Sequence, residues 1–496
     1  MALEALRVCF CTSEAVPFAK TGGLADVAGA LPRALAETGC DVRVVLPGYG
    51  TIDRGKFAFR PAGTAQVLVG GTRVQVEFLE SRFPGSAVPV YLIAHDLFDR
   101  PGLYGEDGTD YADNLERFTV FGRGAQALVR QLGWRPQVVH CQDWQTALLP
   151  VWLRTEPRDA VFAETATLFT VHNQAYQGLF PAERLPVTGI APSFFTPQGL
   201  EFYGKVNLLK GGLVFSDLLS TVSARYAEEI QTPEFGCGLE GVLRQRAADL
   251  IGILNGVDYT AWDPSVDRLI PARYTPDDLS GKQTCKADLQ RTQGLAVDPK
   301  TPLVGMITRL ADQKGLDLVA AAMDTILALG VQFVLLGTGD PQYHALFQEL
   351  ERRHPDRVAV TLGFDDGLAH RIEAGADIFL MPSRYEPSGL NQLYSLRYGT
   401  VPVVRRTGGL ADTIVDATPQ AVACGDANGF VFERYAPDAF LDAVKRALRT
   451  FRNRAAWRRL QQAGMRQDFS WSRSAKRYGE AYRRVIAAHL AAGTRA

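Results

Sequence analysis

The sequence predicts an α/β protein built from two parallel-sheet domains, and three observations predict it. Short runs rich in Val, Leu and Ile recur with helix-length segments between them, the alternation of strands buried under helices on both faces. The chain has 496 residues, more than one hydrophobic core usually supports. A heptapeptide, KTGGLAD at Lys20 to Asp26, returns as RTGGLAD at Arg406 to Asp412. Each copy follows a predicted strand and opens a predicted helix, so two similar halves are expected to present helix N-termini to one ligand. Two Gly-turn helix starts can also coincide without common purpose.

In the first half, strands are expected near Arg7 to Cys11, Val42 to Leu46, Val90 to Ile93, Val138 to His140, Leu168 to Val171, Leu218 to Val222 and Ile251 to Leu254. In the second, they are expected near Leu303 to Ile307, Phe333 to Leu336, Val358 to Thr361, Ile378 to Met381 and Val401 to Val404. Between Gly256 and Ser280 the composition turns to Pro, Asp and Tyr and the periodicity is lost, so the chain is expected to cross between domains there. The resulting division is 1–262, 263–473 and a terminal helix over 474–496 that packs back on the N-terminal domain.

Composition narrows the function. Hydrophobic residues make up 46% and charged ones 22%, while 53 Lys and Arg almost cancel 54 Asp and Glu, as in an ordinary globular protein. Such balance argues for neither a nucleic-acid nor a membrane partner. The Arg-dense stretch from Lys445 to Arg484 reads as a solvated helical face more readily than as a polyanion site. No apolar run approaches the roughly 20 residues that cross a bilayer. The start, MALEALRVCFC, carries Glu4 where a signal peptide wants positive charge, so a cytoplasmic location is expected. The seven cysteines are scattered without a CxxC pair, which reads as reduced thiols.

Three segments carry chemistry. A strand running into TRLADQKG places Arg309 at its carboxyl end and Lys314 near the next helix start. Ligands of open α/β sheets sit beyond that edge, where two cations beside a helix N-terminus make a diphosphate clamp. A lone Arg or Lys ordinarily reads as a surface ion pair, but this placement favours phosphate binding. In LLGTGD, Gly339 allows the close backbone approach that a nucleotide needs. Neither half has a complete GxGxxG between strand and helix, which argues against a dinucleotide dehydrogenase. The absence of an Asp-any-Asp pair turns charge neutralisation over to Arg309, Lys314 and helix N-termini, with no metal or cofactor expected. SRYEPSGLNQLY, Ser383 to Tyr394, follows the apolar run IFLMP and puts Glu386 on a turn at the sheet edge. A carboxylate there accepts hydrogen bonds from sugar hydroxyls, or else caps the following helix.

Taken in order, KTGGLADV, HCQDWQTAL, FTVHNQAYQG, ILNGVD, TRLADQKG, SRYEPSGL and RRTGGLADT resemble bacterial glycogen synthase and plant starch synthase over nearly the whole chain. The resemblance implies two facing Rossmann-like domains of the GT-B type with a deep cleft, the first on the acceptor side and the second binding the donor. It implies transfer of glucose from ADP-glucose to the non-reducing end of an α-1,4-glucan such as glycogen, with retention and without cofactor or metal. By motif, Lys20, Gly22, Gly23 and Asp26 would meet the donor from the first domain, with Tyr104 beside them. Arg309 and Lys314 would hold the leaving diphosphate, and Glu386 the glucosyl hydroxyls. His172 would approach the transferred glucose, with Asp143 and Asn255 lining the same pocket. Gly339, Ser383 and Tyr385 complete the donor side, Thr407, Gly408, Gly409 and Leu410 would give N–H groups to phosphate, and Phe364 would stack on adenine. The family's EPCGLTQL reads EPSGLNQL here, with Ser388 and Asn391 expected to tune the pocket. Tyr394 stands where the broader class of retaining transferases often has a second glutamate. A relative using UDP-glucose or a small acceptor, and a non-catalytic sugar-binding protein, are the other readings of the same residues.

Overall fold

The computed structural model describes residues 5–106, 108–157 and 159–493. Glu4 and residues 494–496 of the expected terminal helix therefore lie outside the described residues. The chain divides into two compact units, Met1–Gly256 with Trp471–Ala496, and Val257–Ser470.

The first unit is organised by nine strands: β1 (Arg7–Cys11), β2 (Asp41–Pro47), β3 (Arg60–Val69), β4 (Thr72–Arg82), β5 (Pro89–Ala94), β6 (Val138–Gln142), β7 (Ala166–Val171), β8 (Leu218–Thr221) and β9 (Leu250–Gly252). Their order in the sheet is β9-β8-β7-β6-β1-β2-β5-β4-β3. Pairing is parallel except where β4 runs antiparallel to both β3 and β5. The parallel strands read as unbroken apolar runs because helices cover both faces. The β3–β4 hairpin was not among the expected strands. It alternates exposed and buried positions, and Gly70 and Gly71, both at positive φ, make its turn.

The second unit holds β10 (Leu303–Leu310), β11 (Gln332–Gly339), β12 (Val358–Leu362), β13 (Ile378–Met381), β14 (Val401–Arg405) and β15 (Phe430–Phe432). All pairings are parallel in the order β12-β11-β10-β13-β14-β15, the doubly wound arrangement. Strand order reverses between β10 and β13 here, and between β1 and β6 in the first unit. A crevice opens at such a switch point beyond the strands' carboxyl ends. The two TGGLAD copies open α1 (Gly23–Glu37) and α2 (Gly408–Thr413).

The last helix, α3 (Trp471–Gly493), packs on the first unit. The Tyr482 hydroxyl lies 2.8 Å from His140 Nδ1, and Ser474 Oγ donates to Leu254 O at 2.7 Å. The division falls at Gly256 and Ser470 where the sequence suggested 262 and 473. The residues that broke the periodicity are the reason, because they clamp the segment onto the second unit. Trp262 is stacked between His370 and Tyr394, with centroids at 3.8 and 4.0 Å. Asp263 pairs with Arg397, and Asp267 accepts from Tyr398 at 2.6 Å. No described helix is long and apolar enough to cross a membrane.

Candidate functional site

In the second unit, the exits of β10 and β13 flank the switch point. Gly315 has φ 71°, and a Cβ there would lie 2.0 Å from Pro382 O, so only glycine lets the Lys314 turn approach the exit of β13 this closely. One backbone and one side-chain hydrogen bond then stitch the two turns: Arg384 N–H donates to Gln313 O at 2.8 Å, and Gln313 Nε2 to Tyr385 O at 3.1 Å. The result brings Lys314 Nζ to 2.7 Å from Glu386 Oε2, which also accepts from Ser383 Oγ at 2.9 Å. Glu386 is 6% exposed. Both donors meet one oxygen, and among the described residues Oε1 takes no protein hydrogen bond. Arg309 is exposed beside the pair, with Nη2 3.2 Å from Gln313 Oε1. Asn391 donates to Ile307 O at 2.6 Å, tying the following helix to β10.

The α2 start packs directly under the Glu386 turn. A Cβ on Gly408 would lie 2.0 Å from Glu386 O, and one on Gly409 would lie 1.9 Å from Ser388 O. This revises one expectation. The N–H groups of Thr407, Gly409 and Leu410 are already donated within the protein, Gly409 to Glu386 O and Pro387 O at 3.1 Å, so they are not open donors for phosphate. The Gly409 N–H ties the α2 start to the Glu386 turn, while Thr407 N–H goes to Arg405 O and Leu410 N–H to Thr407 O. Ser388 Oγ is buried with no partner among the described residues. Gly339 packs against Leu310 O, and Phe364, just beyond β12, is 84% exposed. Tyr394 is occupied in the Trp262 stack, so its ring serves the linker segment and does not replace a ribose-gripping carboxylate.

In the first unit, β6 exits into Asp143 and β7 into His172. Asp143 sits at φ 55°, a strained conformation for a residue with a side chain, and its Oδ1 accepts the His172 N–H at 2.7 Å. Burial pushes its carboxyl up to about 7, opposed by N–H groups from His172 and Asn173 and reinforced by the charge on Glu14. Burial pushes the His172 ring down to about 3, so it is neutral near pH 7. Its Nε2 lies 2.8 Å from Gln142 Oε1. That contact sets which ring nitrogen carries the proton. Asn255 is buried, and its Oδ1 has no partner among the described residues.

The KTGGLAD loop follows β1. Lys20 Nζ pairs with Asp26 Oδ1 at 2.7 Å, and burial raises the Asp26 carboxyl despite that cation. Gly22 and Gly23 are exposed, and a Cβ on either meets nothing within 4 Å. Beneath them lies Glu14, which sequence reading passed over. It accepts from Thr21 N, Thr21 Oγ1, Gly22 N and the Tyr104 hydroxyl. Burial pushes the Tyr104 phenol well up. Gln142 was missed as well. Both residues stand at the carboxyl ends of strands flanking a switch point, which is the signal that could have found them. Among the described residues, no three His, Cys, Asp or Glu side chains are grouped to hold a metal ion.

Two Rossmann-like sheets, each with charged and polar side chains gathered at its carboxyl edge, define a two-domain α/β protein built to bind ligands at those edges. Comparison with known families divides the chain the same way: residues 7–245 match the starch synthase catalytic domain and residues 290–462 the group 1 glycosyl transferases. Glycogen synthase from Anaeromyxobacter dehalogenans is 53% identical, over 96% of this chain and 99% of its own. Glycogen synthase from Syntrophotalea carbinolica is 49% identical, over 98% of this chain and all of its own. The catalytic domain of starch synthase IV from Arabidopsis thaliana, solved with ADP and acarbose, superposes with a TM-score of 0.90 at 34% identity, covering 97% of this chain and 100% of that one. A sucrose-phosphate synthase from Thermosynechococcus elongatus, at 17% identity and TM-score 0.62, shares the fold. The chain belongs to the glycogen and starch synthase family of glycosyltransferases.

Proposed function

We propose that this enzyme transfers glucose from ADP-glucose to the non-reducing end of an α-1,4-glucan with retention of configuration. The observation that carries the reading is the Lys314–Glu386 pair at 2.7 Å, set at the second unit's switch point with Arg309 exposed alongside. The names of the relatives and the ADP and acarbose in the starch synthase structure support the choice of donor and acceptor.

In this reading Lys314 spends one of its three N–H donors on Glu386 and keeps two for the diphosphate, joined by Arg309. Negative charge grows on the departing ADP as the glycosidic bond lengthens, so these cations hold the transition state more tightly than the ground state. Glu386 Oε1 accepts from the glucosyl hydroxyls while Oε2 stays paired. The acceptor hydroxyl attacks from the face the ADP leaves, which preserves configuration without a covalent enzyme intermediate. Lys20 and the glycines after it meet the donor from the first unit, while neutral His172, Asp143 and Asn255 line the sugar. Phe364 stacks on adenine. The reading calls on no cofactor or metal, and it places the enzyme in the cytoplasm, where scattered thiols stay reduced.

Incubating the purified protein with glycogen and either ADP-glucose or UDP-glucose, and following nucleotide release and chain growth, tests this. ADP release with lengthened α-1,4 chains is expected. Release from UDP-glucose alone, or release without chain growth, would overturn the donor or the acceptor assignment respectively.

A further inference from the structure

Glu14 belongs to none of the motifs that mark the family in this chain, yet it is 4% exposed and carries four hydrogen bonds. Oε2 accepts the N–H groups of Thr21 at 2.5 Å and Gly22 at 3.0 Å. Oε1 accepts the hydroxyls of Thr21 and Tyr104, both at 2.7 Å. An ionised carboxylate offers about four acceptor sites and no donor, so these donors saturate it. They come from two segments remote from one another, the loop at 21–22 and Tyr104, the latter 90 residues along the chain from Glu14. Ser13 Oγ, 2.7 Å from the Tyr104 oxygen, closes the network.

Thr21 and Gly22 immediately precede α1, and N–H groups at such a position are those a helix start would give to a bound anion. Here the protein's own carboxylate already takes them. What remains outward is Lys20, with Gly22 and Gly23 exposed and no atom within 4 Å of a Cβ built on either. We propose that Glu14 is a positioning residue, a built-in anion that locks the Lys20–Gly23 loop and Tyr104 into one arrangement before the donor arrives. It rests on the reading that this loop meets the nucleotide sugar. A loop ordered in advance loses less freedom on binding, so the effect belongs to donor affinity.

The test compares the full-length protein with E14Q and E14D. A carboxamide fits the space but turns an NH2 group toward donors that need an acceptor, whereas aspartate keeps the charge one methylene short. In the ligand-free protein, E14Q is expected to speed amide exchange at Thr21 and Gly22 by about tenfold, with β1 and β6 amides as protected as before. The KM for ADP-glucose is expected to rise by about tenfold, with the KM for glycogen unchanged and E14D intermediate. Unchanged exchange at Thr21 and Gly22 would overturn the proposal. So would an activity loss at constant donor KM that merely follows weakened protection across the first unit. Wild-type protein that turns over no ADP-glucose sinks the functional reading instead, and the exchange data still judge the loop.

Discussion

Replacing Gly409 with alanine puts a methyl group 1.9 Å from Ser388 O and 2.5 Å from its carbonyl carbon, where Cβ atoms in proteins essentially never come within 3.0 Å. Relief requires a shift of roughly 1 Å, and both partners are backbone, so no side chain can swing aside. Forcing a methyl group into such a contact costs about 1–3 kcal/mol. Weakening the shared Gly409 N–H bond to Glu386 O and Pro387 O adds about 1 kcal/mol. A loss of about 2–4 kcal/mol lowers the melting temperature of the second unit by roughly 5–10 °C. The displaced turn carries Glu386, and a misplacement of about 1 Å at a reacting centre costs on the order of a hundredfold in rate. Gly22→Ala and Gly23→Ala, in the same TGGLAD sequence, meet nothing within 4 Å and should leave stability within about 0.5 kcal/mol of wild type. Differential scanning calorimetry and kcat on glycogen read both effects. A G409A enzyme with wild-type melting and turnover, or a G22A protein as unstable as G409A, would refute the packing argument.

Lys314→Ala strips the cation from a carboxylate whose side chain is 8% exposed, so we expect about 3 kcal/mol of destabilisation and about a hundredfold lower kcat. Adding Glu386→Gln should return much of the stability and none of the activity, and unaltered turnover in K314A alone would remove Lys314 from the chemistry. Asp143 titrates at about 7 in the fold against about 4 unfolded, so the folded state holds a proton that the unfolded chain loses. Its contribution to stability is therefore complete below pH 4 and is lost as pH rises through about 7. The melting advantage of D143N over wild type should accordingly widen from pH 4 to pH 8, and a constant difference would contradict the assignment. His172 acts in the opposite sense, since its ring at about 3 lies below the unfolded value of about 6.5 and stability falls as pH drops between them. Its ring resonances in NMR titrations should stay those of the neutral form down to about pH 4. Tyr482→Phe removes the hydroxyl beside His140 Nδ1 and leaves a buried ring nitrogen without that partner, which should cost about 1–2 kcal/mol in urea unfolding.

What could be read in advance follows from how each feature is encoded. Parallel strands sandwiched between helices are apolar throughout, so the runs at Val138, Leu168, Leu303 and Ile378 announce themselves without reference to anything else. The β3–β4 hairpin carries Arg60, Gln66, Arg73 and Gln75 on a half-exposed sheet edge, and only its Gly70–Gly71 turn betrays it. Arg309, Lys314 and Glu386 are legible because each lies within a few residues of a strand end and strand ends become the crevice. Glu14 shares that position, but its work depends on Tyr104, whose arrival beside it no local pattern reports. The two TGGLAD segments mark the clearest limit. Identical residues start a helix in both places, yet one pair of glycines stands in open space and the other under a backbone turn, because the neighbours that decide this lie elsewhere in the chain. Likewise Tyr394 could be compared with a glutamate of related enzymes, but its true neighbour, Trp262, is remote in sequence.

The packing of α3 also bears on how the protein is made. Tyr482 reaches His140 across 342 residues, and Tyr478 and Tyr482 fill the core beneath β6 and β7. Residues 257–470 form an uninterrupted stretch, free to collapse as soon as they leave the ribosome. The N-terminal sheet, although synthesised first, stays unsealed until the 471–493 helix emerges, with an apolar seam facing water while residues 257–470 are made. Nascent chains stalled before residue 471 should therefore be the species that chaperones hold and proteases cut.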